Sequence, residues 1–407
     1  MSPAQINSVG VIGAGTMGAG VAQLACLAGY QTFLYELDDR ALAAGLERLR
    51  SALRRGVERR RWTDAEAEAA LERLRSDTIL EVLERCDLVI EAAPERLELK
   101  RDIFERLARI IRPESVLATN TSSLSVTAIA ASVPKPNRMV GMHFFNPPAL
   151  MKLVEIVAGE ESDEESLEHA TEVARRMGRT PIRARDAIGF VANRCARPFT
   201  LEALRLAGGG VASHEGIDRI CRLGGGFRMG PFELMDLIGI DVNFGVARSF
   251  HEQSFGEPRW RPHPIQARMA ASGRLGRKSG RGFYRYAKDE PHRERDPDVS
   301  EPRPIVVDDE LLERVAGPLA PRVLGRIGAQ LVNEACFALG EGVASGEDID
   351  TAMRLGFNWP IGPLQWGTRM GWARALGILE ELRELEGEAY RPAPLLRRHA
   401  AGGGEAG

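Results

Sequence analysis

Lysine is scarce in this chain. Only five of its 54 basic residues are lysine (Lys100, Lys135, Lys152, Lys278 and Lys288). The bias reads as the mark of a GC-rich coding sequence rather than of a binding surface, since the net charge is only −3. So even a balance gives no whole-chain reason to expect nucleic acid as a partner. No apolar run reaches the ~20 residues that span a bilayer, so no membrane partner is expected either. The five cysteines (Cys26, Cys86, Cys195, Cys221 and Cys336) are scattered. None forms a CxxC pair or a spacing with histidine that would hold zinc, so no metal is expected and the thiols read as reduced and buried. The opening Met1-Ser2-Pro3-Ala4-Gln5 lacks the basic start of a secretory leader, and the expected location is cytoplasmic.

What is present is an ordinary globular composition, 44% apolar and 27% charged, over 407 residues. That length suggests two or three domains. The first part alternates short apolar runs with helical pattern. Val9–Ile12, Gln31–Tyr35, Asp87–Ala92, Val116–Ala118, Met139–Met142 and Leu153–Val157 read as strands. Such alternation predicts a mostly parallel sheet covered on both faces. Ser162 to Met177 reads as a helix capped by Ser162 and ended by Gly178.

From Ala187 the pattern turns helical, and it repeats. Gly210-Val-Ala-Ser-His-Glu-Gly-Ile-Asp218 recurs as Gly342-Val-Ala-Ser-Gly-Glu-Asp-Ile-Asp350. The same offset maps Arg222-Leu223-Gly224 onto Arg354-Leu355-Gly356 and Gly230-Pro231 onto Gly362-Pro363. Several intervals matching at one offset indicate two copies of one module. The expected organisation is a nucleotide domain over 1–186, helical modules over 187–286 and 310–399, a linker over 287–309 and a disordered tail over 400–407.

Gly13-x-Gly15-x-x-Gly18 follows the first strand and opens a helix from about Met17 to Ala28. In that context the motif marks a dinucleotide site of Rossmann type. Gly13 permits the turn, Gly15 admits a pyrophosphate and Gly18 lets helix and strand pack closely. Thr16 and Met17 begin the helix whose free N–H groups would face the phosphates. Glu36 ends the second strand, where a carboxylate accepts from a ribose hydroxyl and repels a 2′-phosphate. NAD is therefore expected over NADP, with nearby Arg40 opposing this slightly. The fold class is an α/β Rossmann-type N-terminal domain followed by two all-α helical modules.

Ser122 and His143 each fall just past an expected strand end, where open α/β sheets place ligands. Glu155 falls inside the strand Leu153–Val157. A histidine is a suitable base for an alcohol proton, and a neighbouring carboxylate would orient it. Each residue also has a plainer reading: a packed histidine, a helix-capping serine, a surface carboxylate on an edge strand.

Six ordered stretches resemble the 3-hydroxyacyl-CoA dehydrogenase family over nearly the whole chain. They are Gly13-Ala-Gly-Thr-Met-Gly-Ala-Gly-Val-Ala-Gln23, Glu91-Ala-Ala-Pro-Glu95, Asn120-Thr-Ser-Ser-Leu124, His143-Phe-Phe-Asn-Pro147, Met151-Lys-Leu-Val-Glu155 and Gly189-Phe-Val-Ala-Asn-Arg194. The resemblance implies that His143 is the catalytic base, that Glu155 pairs with it, and that Ser122 and Asn193 touch the substrate oxygen. It adds Glu95, Lys100 and Asn120 to the cofactor side. The implied reaction oxidises an (S)-3-hydroxyacyl-CoA to a 3-oxoacyl-CoA, in fatty-acid β-oxidation or phenylacetate-type aromatic degradation. Arg54, Arg55, Arg59, Arg60 and Arg61 lie where the family has a basic helical hairpin for the CoA phosphates. Arg54, Arg59, Arg60 and Arg61 are taken as substrate contacts, and a solvated helix face is the alternative. The second module has Gly325 in place of Asn193, so no second active site is expected. Family modules pair, often across a dimer, so a homodimer is a further expectation. Two rivals stand beside this reading: a dehydrogenase of a free hydroxy acid such as L-gulonate, and a non-catalytic NAD-binding relative.

Overall fold

A computed structural model of the protein describes residues 6–287, 292–293, 296 and 305–402. The chain divides into two compact units, Met1–Phe190 and Val191–Gly407.

The first unit is built on an eight-stranded sheet of order β3-β2-β1-β4-β5-β6-β7-β8. The strands are β1 (Ser8–Ile12), β2 (Gln31–Tyr35), β3 (Leu74–Asp77), β4 (Leu88–Glu91), β5 (Val116–Thr119), β6 (Met139–Phe144), β7 (Leu153–Ala158) and β8 (Thr180–Arg185). The strands from β3 across to β6 pair in parallel; β7 runs antiparallel to β6 and parallel to β8. The helices are α1 (Thr16–Leu27), α2 (Asp39–Glu58), α3 (Asp64–Glu72), α4 (Leu97–Ala108), α5 (Val126–Ala130) and α6 (Glu164–Arg176). Strands β4 and β5 are buried at every residue, as strands covered on both faces must be. The core gathers Val9, Val11, Leu34, Ile90, Ala118, Val140 and Ile156 with the inner faces of α1, α2 and α6.

Strands β3 and β8 were not among the expected ones. Both lie at sheet edges, and their sequences, Leu-Arg-Ser-Asp and Thr-Pro-Ile-Arg-Ala-Arg, are too polar to stand out by apolar pattern. An edge strand has one neighbour, and outward charge keeps its open side from pairing further. Two further expectations change. Asp163, not Ser162, caps α6 by accepting from Ser166 N–H. Ser162 instead accepts from Gly159 N–H and donates to Met139 O. Strand β6 also continues two residues past Met142.

The second unit is helical: α7 (Ala192–Gly208), α8 (His214–Leu223), α9 (Pro231–Ile238), α10 (Ile240–Gln253) and α11 (Pro264–Ala271), then α12 (Asp309–Ala316), α13 (Ala320–Gly340), α14 (Gly346–Gly356), α15 (Pro363–Met370), α16 (Trp372–Glu386) and α17 (Pro394–Ala400). The repeat is visible in its hydrogen bonds. Ser213 caps α8 and Ser345 caps α14. Asp218 accepts from Phe232 and Glu233 N–H, each at 2.9 Å, at the start of α9. Asp350 accepts from Leu364 and Gln365 N–H, at 2.8 and 3.1 Å, at the start of α15.

The two copies pack α7 against α13 with reciprocal ion pairs. Arg194 Nε donates to Glu334 Oε1 at 2.8 Å, and Arg326 Nε donates to Glu202 Oε1 at 2.7 Å. Residue i of one copy meets j of the other, and j meets i, which is the signature of an approximate two-fold. The α7 face is thus covered by a module of the same chain, and a homodimer would need another surface. Most of the expected linker lies outside the described residues. Of those described, His292 and Arg293 pair with Glu233, and Asp296 pairs with Arg222. The expected tail lies outside them from 403 onward.

Candidate active site

The glycine loop joins β1 to α1. Gly13 has φ +97°, and a Cβ there would stand 2.9 Å from Ala92 O. A Cβ on Gly18 would stand 1.8 Å from Gly13 O. Turn geometry demands glycine at the first and helix–strand contact at the second. Gly15 is different: a Cβ would meet nothing within 4 Å, so this side of the loop is open. Gly15 also caps α1 without a side-chain hydrogen bond, leaving the first-turn N–H groups of Thr16, Met17 and Gly18 for an outside acceptor. Glu36 closes the loop from β2, accepting from Ala14 N–H at 2.9 Å and Leu37 N–H at 2.8 Å. These residues fit a dinucleotide, with phosphates at α1 and a ribose at Glu36. Replacing Glu36 with alanine is expected to raise KM for NADH by roughly 10-fold or more, the worth of a charged hydrogen bond. It should also narrow the preference over NADPH. Paired kinetics with the two cofactors read both, and an unchanged ratio refutes the role.

An ionic cluster, buried at Glu91 and Lys100 and open to solvent at Glu95, stands at the ends of β4 and β5. Lys100 Nζ donates to Glu91 Oε1 at 2.7 Å and lies 3.4 Å from Glu95 Oε2. Glu91 Oε2 accepts from Thr119 Oγ1 at 2.7 Å. Glu95 Oε1 accepts from Thr121 Oγ1 at 2.6 Å, from Ser122 N–H at 2.8 Å and from Ser123 N–H and Oγ at 3.0 Å. Burial pushes the Glu95 carboxyl up, but Lys100 and these donors outweigh it and hold it below the usual range. Glu95 therefore anchors the loop that carries Ser122. Sequence reasoning named Lys100 and Glu95 but missed Glu91. The signal was there, since Glu91 opens the stretch Glu91-Ala-Ala-Pro-Glu95.

The sheet register sets the catalytic pair. Thr119 pairs with Gly141 on adjacent parallel strands, so the loop bearing Ser122 and the end of β6 leave the sheet at the same edge. His143 lies within β6, not past its end as expected, directly opposite Glu155 on antiparallel β7. Residues opposite each other point to one face, at side-chain contact distance. His143 Nδ1–H donates to Glu155 Oε2 at 2.5 Å. The histidine is 6% exposed and the glutamate 0%. Glu155 is thus no surface carboxylate, and β7 is not an edge strand, because β8 covers it. Asn120 Oδ1 accepts from Phe144 N–H at 2.8 Å, tying the end of β5 to the residue after His143. The His143 ring packs on Phe145, with centroids 4.5 Å apart, and on Phe190 at 5.8 Å. Phe190 is a contact that sequence reading did not assign. Its φ of +50° is rare for a large side chain. Asn193 is the second residue of α7, in the other unit.

A hollow of about 300 Å³ opens beside α1 and α2, lined by Arg48, Arg55, Arg59, Arg61 and Trp62 among others. The structure leaves Arg54 and Arg60 outside this lining. Arg54 turns to Glu47 at 2.5 Å instead. Among the described residues, no group of His, Cys, Asp and Glu is arranged to hold a metal, and no helix is long and apolar enough to cross a membrane.

A dinucleotide loop beside a paired histidine and glutamate defines a nicotinamide-dependent dehydrogenase of alcohols. Residues 8–187 match the family described as 3-hydroxyacyl-CoA dehydrogenase, NAD binding domain. Residues 189–286 and 323–405 match its C-terminal domain. The chain belongs to the 3-hydroxyacyl-CoA dehydrogenase family, and it is an NAD-binding oxidoreductase of that kind. It is 38% identical to the 3-hydroxyadipyl-CoA dehydrogenase of Escherichia coli K12, over 97% of this chain and 98% of that one. It is 40% identical to a probable 3-hydroxybutyryl-CoA dehydrogenase of Deinococcus radiodurans, over 68% and 99%. A crystal structure of 3-hydroxybutyryl-CoA dehydrogenase from Escherichia coli K12 superposes with a TM-score of 0.88 at 38% identity, covering 98% of this chain and 99% of that one.

Proposed function

We propose that the protein interconverts (S)-3-hydroxyacyl-CoA and 3-oxoacyl-CoA, with His143 as the general base. The observation that carries this is the buried His143–Glu155 pair, 2.5 Å apart at the C-terminal edge of a dinucleotide sheet. With Nδ1–H given to Glu155, the neutral ring has a free lone pair on Nε2 for the hydroxyl proton. Glu155 then balances the imidazolium that forms. Ser122, held by Glu95 through its backbone N–H, steadies the oxygen that becomes a carbonyl. The family resemblance implies a substrate role for Asn193 as well. NAD, held by the glycine loop and Glu36, would supply the hydride acceptor. Phe145 and Phe190 exclude water around the base. Arg59 and Arg61 of the basic hollow receive the CoA phosphates. The names of the Escherichia coli and Deinococcus radiodurans relatives support a thioester over a free acid.

The test is NADH oxidation by the wild type with acetoacetyl-CoA, with free acetoacetate and L-gulonate with NAD as controls. Turnover confined to the thioester is the expected result. Turnover of the free acids alone would move the protein to a different substrate class.

A further inference from the structure

The two helical copies differ in what covers them. In the first, residues 283–286 lie across α8 and α9. Tyr284 Oη donates to Asp218 Oδ2 at 2.8 Å, with the His214 ring edge-on at 5.1 Å. Phe283 and Tyr284 N–H donate to Asp236, each at 3.0 Å, and the Phe283 ring packs on Phe232 at 4.6 Å. Further along, His292 and Arg293 meet Glu233, and Asp296 meets Arg222.

An offset of 132 carries these contacts onto the second copy. Asp218 becomes Asp350, His214 becomes Gly346 and Arg222 becomes Arg354. Phe232, Glu233 and Asp236 become Leu364, Gln365 and Thr368. All of these second-copy residues line one hollow of about 390 Å³, a size that suits a small ligand. Among the described residues, no segment covers it. The hollow is the footprint of the first copy's closing segment, left open in the second.

The exchanges within it have a direction. Asp236 and Glu233, which hold the segment's backbone and its basic residues, give way to Thr368 and Gln365. The carboxylate that takes the phenol stays. Asp350 is 6% exposed and accepts from Leu364 and Gln365 N–H, as Asp218 does from Phe232 and Glu233. Among the described residues, nothing supplies the third donor, which is the Tyr284 hydroxyl in the first copy. Capping α15 accounts for an aspartate at this position, but not for two further changes. Trp372 stands where the first copy has Ile240, and His399 stacks on it with centroids 4.6 Å apart, so the hollow gains an aromatic wall. Arg354 has neither of the carboxylates that hold Arg222; among the described residues, its Nη2 donates to Thr351 Oγ1 at 3.1 Å. It stands one helical turn from Asp350 on the same face of α14.

We propose that this hollow binds a small phenolic acid, whose hydroxyl donates to Asp350, whose ring packs against Trp372 and whose carboxylate pairs with Arg354. A hydroxyl given to a buried carboxylate is a charge-assisted bond, and the guanidinium fork suits the acid. A tyrosine-bearing peptide is the other phenol that could enter, but the groups that would grip its backbone are the ones replaced.

The experiment is titration calorimetry of the full chain with 4-hydroxybenzoate, benzoate, phenol and the peptide acetyl-Gly-Phe-Tyr-Arg-amide. 4-Hydroxybenzoate is expected to bind one-to-one with Kd below about 1 mM. Benzoate lacks the donor and should bind roughly 10- to 100-fold more weakly, the range of a hydrogen bond to a charged group. Phenol lacks the acid and should also bind more weakly, and Arg354→Met should bring 4-hydroxybenzoate down to its level. Leu364→Trp fills the hollow and leaves Asp350 to cap α15. It should abolish binding while turnover of acetoacetyl-CoA holds. Arg354 is exposed, so its variant reads the same site should Leu364→Trp fail to fold. Benzoate binding as tightly as 4-hydroxybenzoate overturns the proposal, as does binding that survives both variants. A wild type that takes up none of the small ligands overturns it too. Uptake of the peptide alone would make the hollow a docking place for a tyrosine segment instead.

Discussion

His143→Ala is expected to lower kcat for reduction of acetoacetyl-CoA by roughly 10²- to 10⁴-fold, the usual contribution of a positioned acid or base. In this direction the protonated ring donates to the forming alkoxide, and alanine leaves only water to do so. KM should move little, because the imidazole acts mainly on a proton in transit. Glu155→Gln is a sharper probe. The glutamine keeps the size of the side chain but loses the charge that balances the imidazolium, and its amide end can present a donor to Nδ1. That would favour the wrong tautomer, with the proton on Nε2. A fall in kcat with an unchanged melting temperature is expected. Wild-type kcat in His143→Ala would remove the histidine from the chemistry.

The largest stability effect is expected from Glu334→Ala. Glu334 is 2% exposed and accepts from Arg194 at 2.8 Å and from Arg259 at 2.6 Å. Its removal takes the buried partner from both guanidinium groups and leaves Arg194 with the more exposed Glu341 and Arg259 with Glu257. Breaking a buried pair this way costs about 3–5 kcal/mol, because the buried charge loses its main compensation. For a unit of this size that corresponds to a drop of about 6–20 °C in the melting temperature of the helical part. Removing all three charges together, in Arg194→Met/Glu334→Leu/Arg259→Met, should recover much of the loss, since the cost lies in the orphaned ions rather than in a missing attraction. Thermal melts followed by circular dichroism decide this. A drop below about 2 °C in the single variant would mean that Glu341 and Glu257 suffice as partners.

Much of this molecule is legible one residue at a time. The glycine motif announces its turn, because only glycine suits φ +97° at Gly13 and the close contact at Gly18. The inner strands announce themselves by apolar runs, since both their faces are covered. The repeat is a matter of spacing alone. The edge strands β3 and β8 escaped, because half-exposed strands can be polar and then resemble loops.

The sequence alone therefore determined the class of fold, the dinucleotide loop and the duplication, and it put forward His143 and Glu155. It could not say how those two residues meet. They are twelve positions apart, and an antiparallel turn-back of β7 onto β6 sets them face to face. Nor could it separate Arg197 from its neighbours, as Arg194, Arg197 and Arg205 look alike on one helix. Arg205 meets Glu202 three residues earlier on the same helix, but it is pairing across the two copies that gives Arg194 its buried glutamate, while Arg197 is left with an aromatic face. Local pattern reports what a residue is suited to; the partners it finds depend on long-range register and burial, which only the folded chain supplies.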